Sequence, residues 1–196
     1  MLLTADEVSR SLRGSWQLLQ RQAEGIRLFD VSYEGFWRSF GAIVLTLPVA
    51  VVALASERIQ RGLGTEGLRL ADHLGLTLSF ALAHVVLFCA FPLLMIGFVR
   101  LMGLERAYVP FVVAHNWTNA FLAFVFAVPM ALVMLGLATP GLGAFYALAF
   151  MVIAARLRWF VARVTLGVSG GLAAALVVAD FAVEIGLATL FDALTG

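Results

Sequence analysis

Asp180 and Glu184 stand four residues apart inside an apolar run near the C-terminus. On a helix that spacing puts both carboxylates on one face. An ionised carboxylate in a bilayer is expensive, so such a pair marks either a functional site or a buried polar network. Two like charges this close cannot both persist cheaply in a low dielectric, which suits proton or cation handling. His84, His115, Asn116 and Asn119 also lie in apolar stretches. Groups of this kind hydrogen-bond between helices and fix their packing, each pair contributing about 0.6 kcal/mol. His84, His115, Asp180 and Glu184 have the donor types for a divalent cation. Nothing in their spacing demands a metal, and none is expected.

No enzyme signature is recognised. A metalloprotease H-E-x-x-H and a phosphate loop are missing. Gly62-Leu63-Gly64 lies in a polar stretch between apolar ones, the wrong context for a dinucleotide fingerprint. The expectation is a non-enzymatic protein without a cofactor. The single cysteine, Cys89, has no intrachain partner. No internal repeat supports an inverted-repeat transporter.

These side chains need elements that carry them through lipid. The chain has 196 residues, 62% hydrophobic and 13% charged, with a mean hydropathy of +0.99. A soluble domain carries roughly 45–50% apolar and about 25% charged residues. The apolar excess must face lipid. A net charge of +1 argues against a nucleic-acid partner. The fold class that follows is all-α, a polytopic transmembrane bundle of about five spans.

Residues 1–35 form the expected cytoplasmic segment, and 36–196 the transmembrane domain. Thr4 with Glu7 has the form of a capping box. Val8, Leu12, Trp16, Leu19, Ala23 and Ile26 recur at steps of three or four and make one apolar stripe over residues 4–28. Such a helix lies in the headgroup plane with Trp16 as an anchor, or packs on the protein's own helices or a partner. The first long apolar stretch begins near Phe36, too late for a signal peptide, so the N-terminus is expected to be retained. Tyr33 and Trp37, beside Arg38, are further interfacial anchors.

The spans are expected at 36–55, 74–99, 112–138, 142–161 and 164–190. Pro48 and Pro92 fall inside the first two. Residues 56–73 read as a polar loop. The third apolar region carries Pro110 and Pro129 and is expected to be a tilted or broken helix. Thr139-Pro140-Gly141 reads as a tight turn, and Arg156 and Arg158 as markers of an interface. The last two spans have a short connection and should be antiparallel neighbours. Gly167 and Gly171 form a G-x-x-x-G pair, expected to serve close helix packing within the chain or in a homodimer.

Every basic residue is arginine. Ten fall on the N-terminal side of the expected topology and three (Arg58, Arg61, Arg69) on the other. That bias predicts a cytoplasmic N-terminus and an outside C-terminus.

Ala107-Tyr108-Val109-Pro110-Phe111, Trp159-Phe160-Val161-Ala162-Arg163 and Leu166-Gly167-Val168-Ser169-Gly170-Gly171, with a polar N-terminal segment before about five spans, resemble the Yip family of small polytopic membrane proteins. The likeness is greater to bacterial inner-membrane proteins with a Yip-like domain, and it would cover roughly residues 36–190. It implies a membrane-organising or trafficking role for the eukaryotic members and no agreed activity for the bacterial ones. The eukaryotic cytosolic D-L-Y-G-P stretch is absent, which counts against a small-GTPase partner.

The resulting expectation is a scaffold or accessory subunit of a membrane assembly in a bacterial inner membrane. Its partners would be the bilayer and a protein in a membrane complex or a second copy. The alternative is a small proton- or cation-coupled transporter or channel using Asp180 and Glu184 with His84 and His115. The two differ in whether those four side chains meet at a wet cavity.

Overall fold

The computed structural model describes residues 3–60 and 74–195, and every regular element among them is a helix. The order is α1 (Ala5–Leu19), a 3₁₀ helix (Ala23–Leu28), α2 (Tyr33–Phe40), α3 (Ala42–Gln60), α4 (Leu74–Met102), α5 (Glu105–Met134), α6 (Pro140–Leu166) and α7 (Gly170–Thr195). Five stretches are long and apolar enough to cross a membrane: Tyr33–Val52, Ala81–Met102, Glu105–Val133, Gly141–Leu166 and Gly170–Phe191. The protein is therefore a multi-pass helical membrane protein. The first span consists of α2 and α3 around Gly41. Residues 56–60, expected in a loop, extend α3; residues 61–73 of that loop lie outside the described residues.

The third apolar region is one unbroken helix rather than a broken one, and it begins at Glu105, seven residues earlier than expected. Its 30 residues include both prolines. The physical reason is its position: Phe111 to Thr118 are buried on every side of the helix, as a helix apolar all round requires. It packs against α1, α2, α3, α4 and α6 and is the axis of the bundle. Tyr108 on its second turn donates its hydroxyl to the Pro92 carbonyl of α4 at 3.1 Å. Between apolar helices in lipid, association rests on close packing at small residues. Ala114, Ala120, Ala154, Ala162 and Ala173 occupy such buried seams.

Thr4 caps α1, its hydroxyl accepting from the Glu7 amide at 3.2 Å. The other half of the capping box is not made, because the Glu7 carboxylate turns to Arg38 instead. Nor does α1 bury the centre of its apolar stripe. Glu7, Ser11, Gly14, Ser15 and Leu18 face the protein, while Trp16 is 51% exposed. Its ring still approaches that of Phe121, with centroids 6.3 Å apart. Phe121 lies about 24 Å along α5 from Glu105 at 1.5 Å per residue, so the end of α1 rests against the middle of the central helix. The chain then doubles back through the 3₁₀ helix. A Cβ on Gly14 would stand 2.9 Å from the Gly25 carbonyl oxygen, and one on Gly25 2.7 Å from that of Gly14. Only glycine permits this approach. Leu18 and Phe29 join the main hydrophobic core, so residues 3–35 pack on the spans.

Candidate functional site

An arginine bound to two carboxylates lies at the contact of α6 and α7. The Arg158 guanidinium donates to Glu184 through Nη1, at 2.9 Å to Oε2, and through Nη2, at 2.6 Å to Oε1. Its Nη1 is also 3.2 Å from Asp180 Oδ2. The Phe181 ring lies 4.8 Å beneath the guanidinium carbon. The turn between the helices produces this register. Gly167 ends α6 with a left-handed φ of 68°, Ser169 Oγ accepts from the Leu172 amide at 3.3 Å, and Trp159 Nε1 ties the turn to the Gly170 carbonyl at 2.9 Å. Two helices folded back through so short a turn bring Arg158 and Asp180, each a few turns away from it, side by side.

Arg158 is thus not a marker of the interface, as the sequence suggested. Its side chain is only 11% exposed, and that of Asp180 is 2% exposed. An arginine is tolerated at such a place because charges inside a membrane protein pair with one another.

Phe91 of α4, Phe111 and His115 of α5, Arg158 and Ala162 of α6, and Leu176, Val177 and Asp180 of α7 line a small cavity of about 10 Å³. That is room for about one water molecule. His115 is stacked on Phe111, with centroids 5.7 Å apart, and its Nε2 pairs with Asn119 Nδ2 at 2.9 Å. Among the described residues, Asp180 Oδ1 and Arg158 Nε at this cavity, and Asn119 Oδ1 one turn beyond His115, are buried without a hydrogen-bond partner. The helix bundle therefore leaves polar atoms unpaired around this cavity, although such groups are costly to leave so.

The remaining polar residues go elsewhere. His84 Nε2 lies 2.8 Å from Thr46 Oγ1, joining α4 to α3. Asn116 Nδ2 donates to Ser39 Oγ at 3.0 Å, joining α5 to α2. The expected network of His84, His115, Asn116, Asn119, Asp180 and Glu184 is therefore three separate groups. His115 and Asp180 share the cavity, Glu184 is tied to it through Arg158, and His84 and Asn116 hold other seams. Arg158, Thr46 and Ser39 were missed from sequence. Arg158 carried a usable signal, since counting back from Gly167 and forward from Gly170 sets it within a turn of Asp180. Among the described residues no group of three or more His, Cys, Asp or Glu side chains could hold a metal.

A second arginine cluster sits at the start of the first span. Arg38 Nε donates to both Glu7 oxygens, at 3.1 and 2.9 Å, and Nη2 to Asp30 Oδ2 at 2.5 Å. Asp30 also accepts from the Ser32 amide at 3.0 Å. That bond, followed by the Ser32 side chain and the charge of Arg38, holds the Asp30 carboxyl below the usual carboxylate range. Of the expected anchors, Tyr33 and Trp37 are exposed and meet edge to face at 6.3 Å.

Within the chain the glycine pair does not serve close helix packing. Gly167 belongs to the turn after α6, and Gly171 to the first turn of α7, where a Cβ would meet nothing within 4 Å. The tighter place is Gly170, where a Cβ would stand 3.2 Å from Arg163 Nη1. Residues 167–171 also spell G-x-S-x-G, a nucleophile pattern. That motif needs a strand before its turn and a helix after it; here α6 precedes it and Ser169 serves as a helix cap. Residues 62–67 likewise complete a G-x-G-x-x-G spelling, and they lie outside the described residues.

Comparison with known proteins finds no matching family model, no matching curated protein and no matching solved structure.

Proposed function

We propose that the protein is a non-enzymatic scaffold or accessory subunit of a membrane assembly, acting through its helix faces. The observation that carries this reading is the double engagement of Arg158. Its guanidinium takes Glu184 with two hydrogen bonds and contacts Asp180. The intramembrane charges are thereby committed to bracing α6 against α7. His84, needed for a relay across the bilayer, is engaged with Thr46 on another seam. A brace of this kind fixes a bundle whose outward surfaces are free to meet lipid and partner helices; Leu82, Leu93, Phe145, Leu148 and Val178 are among the large apolar side chains exposed there.

With Arg158 set aside, the arginine bias is nine to three and supports a cytoplasmic N-terminus; the Yip-like likeness supports placement in a bacterial inner membrane. The Yip-like segments 107–111, 159–163 and 166–171 support a membrane-organising role. The test is purification from native membrane in mild detergent, with proteoliposome flux measured on the same material. Defined stoichiometric partners and no proton or cation flux under imposed gradients are expected. Flux that depends on Asp180 would replace this reading with the transport one, which draws on Asp180 and His115 lining one cavity.

A further inference from the structure

We propose that the cavity where α4, α5, α6 and α7 meet is a proton-binding site, with the Asp180 carboxyl as the acceptor. This goes beyond the scaffold reading and does not depend on it.

The first argument is charge balance. Asp180 and Glu184 bring two negative charges to the single positive charge of Arg158. An uncompensated charge buried away from water is the costliest state such a group can take. One proton closes the balance.

The second argument locates that proton. Glu184 is occupied on both oxygens by Arg158, at 2.9 and 2.6 Å. Asp180 offers Arg158 one oxygen at 3.2 Å. Its Oδ1 is buried without a partner among the described residues, on a residue 2% exposed that lines the cavity. The carboxyl thus has a free oxygen where a proton can be held.

The other groups facing Asp180 cannot take that role as cheaply. Arg158 of α6 is permanently charged. His115 of α5 lines the same cavity, and its Nε2 is occupied by Asn119. A proton on His115 would add a second cation beside the guanidinium. α4 contributes Phe91, and the rest of the lining is Phe111, Ala162, Leu176 and Val177, none of which titrates. A metal ion fits less well than a proton. The cavity of about 10 Å³ has room for about one water, and among the described residues there is no metal-ligating cluster of three.

Infrared difference spectroscopy of the full chain in liposomes tests the site, because a protonated carboxyl has a carbonyl stretch distinct from the carboxylate bands. The wild type should show this stretch at neutral pH and lose it on alkaline titration. Asp180→Asn should abolish it, and His115→Gln should keep it. Glu184→Gln removes the excess negative charge, so the band should disappear at a lower pH than in the wild type. The proposal is overturned if the wild type lacks the band at neutral pH, if the band survives in Asp180→Asn, or if Glu184→Gln leaves its titration unmoved. Should Asp180→Asn fail to fold, the wild-type and Glu184→Gln titrations still decide.

Discussion

Arg38 with Glu7 and Asp30, and Arg158 with Asp180 and Glu184, are the same set of charges in two settings. Both join elements that are not continuous in sequence or that fold back on each other. Around Arg38 the acids come from α1 and from the loop before α2, and Asp30 has a backbone amide as well. Around Arg158 both acids come from one face of α7, and one oxygen and one guanidinium nitrogen are buried unpaired among the described residues. Fractional exposure alone misses the difference, since Glu184, at 34%, is more exposed than Asp30, at 28%. What surrounds the exposed part matters more. Glu184 lies within a membrane-crossing stretch, whereas Asp30 precedes the first one. The Arg38 cluster is a latch that holds the N-terminal segment on the bundle. The Arg158 cluster is a brace that the bundle cannot lose by halves.

The largest effect should come from breaking that brace by halves. Arg158→Met strands the Glu184 carboxylate and leaves the Asp180 carboxyl without its partner, and breaking a buried pair costs roughly 3–5 kcal/mol. Arg158→Met combined with Asp180→Leu and Glu184→Leu should restore stability to near the wild-type level, because replacing a whole buried ionic cluster with apolar groups is often neutral. Unfolding in mixed detergent micelles reads both. A triple variant as unstable as Arg158→Met would erase the contrast with the latch.

Arg38→Met should cost less than breaking the Arg158 cluster, because its hydrogen bonds to Glu7 and Asp30 lie at the edge of the first span, nearer water. Its effect should be local: limited proteolysis should begin within residues 20–32 while the spans stay protected. Cleavage throughout the chain would make the two clusters equivalent.

The latch should also respond to acid. The Asp30 carboxyl sits below its usual range in the folded protein, chiefly through its bonds with Ser32. Its contribution is therefore full above the ordinary carboxylate range and is lost as pH falls through the lowered folded value. Protease protection of residues 20–32 should weaken in that acidic window, and Asp30→Asn should weaken it already at neutral pH and flatten the dependence. Protection that rises on acidification would reverse the sign and refute the assignment.

The smallest effects belong to the glycines. Gly167→Ala should cost about 1 kcal/mol, because the residue holds a left-handed conformation at a helix end. Gly171→Leu should leave thermal stability unchanged, because nothing lies within 4 Å of its Cβ position.

Much of the architecture was legible in composition and hydropathy, because lipid demands long apolar helices and the chain supplies five. The paired last helices were legible from a short connection, whereas Thr139-Pro140-Gly141, expected as a tight turn, is a helix start: Thr139 caps α6 and Pro140 and Gly141 open it, because proline suits a first helical turn. The packing of α1 was not. Periodicity marks an apolar stripe, but small and polar residues such as Ser11, Gly14 and Ser15 make the tighter seam against other helices. α5 was misread for a related reason. Its prolines and polar residues suggest interruption, while burial on all sides gives Asn116 Nδ2, His115 Nε2 and the Thr118 hydroxyl partners in Ser39, Asn119 and the helix's own carbonyls. In the site, Asp180 and Glu184 announced themselves by charge in an apolar run. Arg158 was hidden because an arginine near a span's end resembles an interfacial one, and only the register of the α6–α7 turn places it inward.

The account rests on Arg158 and Glu184 stabilising the fold through each other. A double-mutant cycle with Arg158→Met, Glu184→Gln and the pair, read by reversible unfolding in bicelles, measures that directly. Residues in one salt-bridge network couple by roughly 0.5–3 kcal/mol. A coupling in the upper half of that range is expected, with the double variant more stable than Arg158→Met alone. Additive losses would contradict the brace and show that the two side chains act independently.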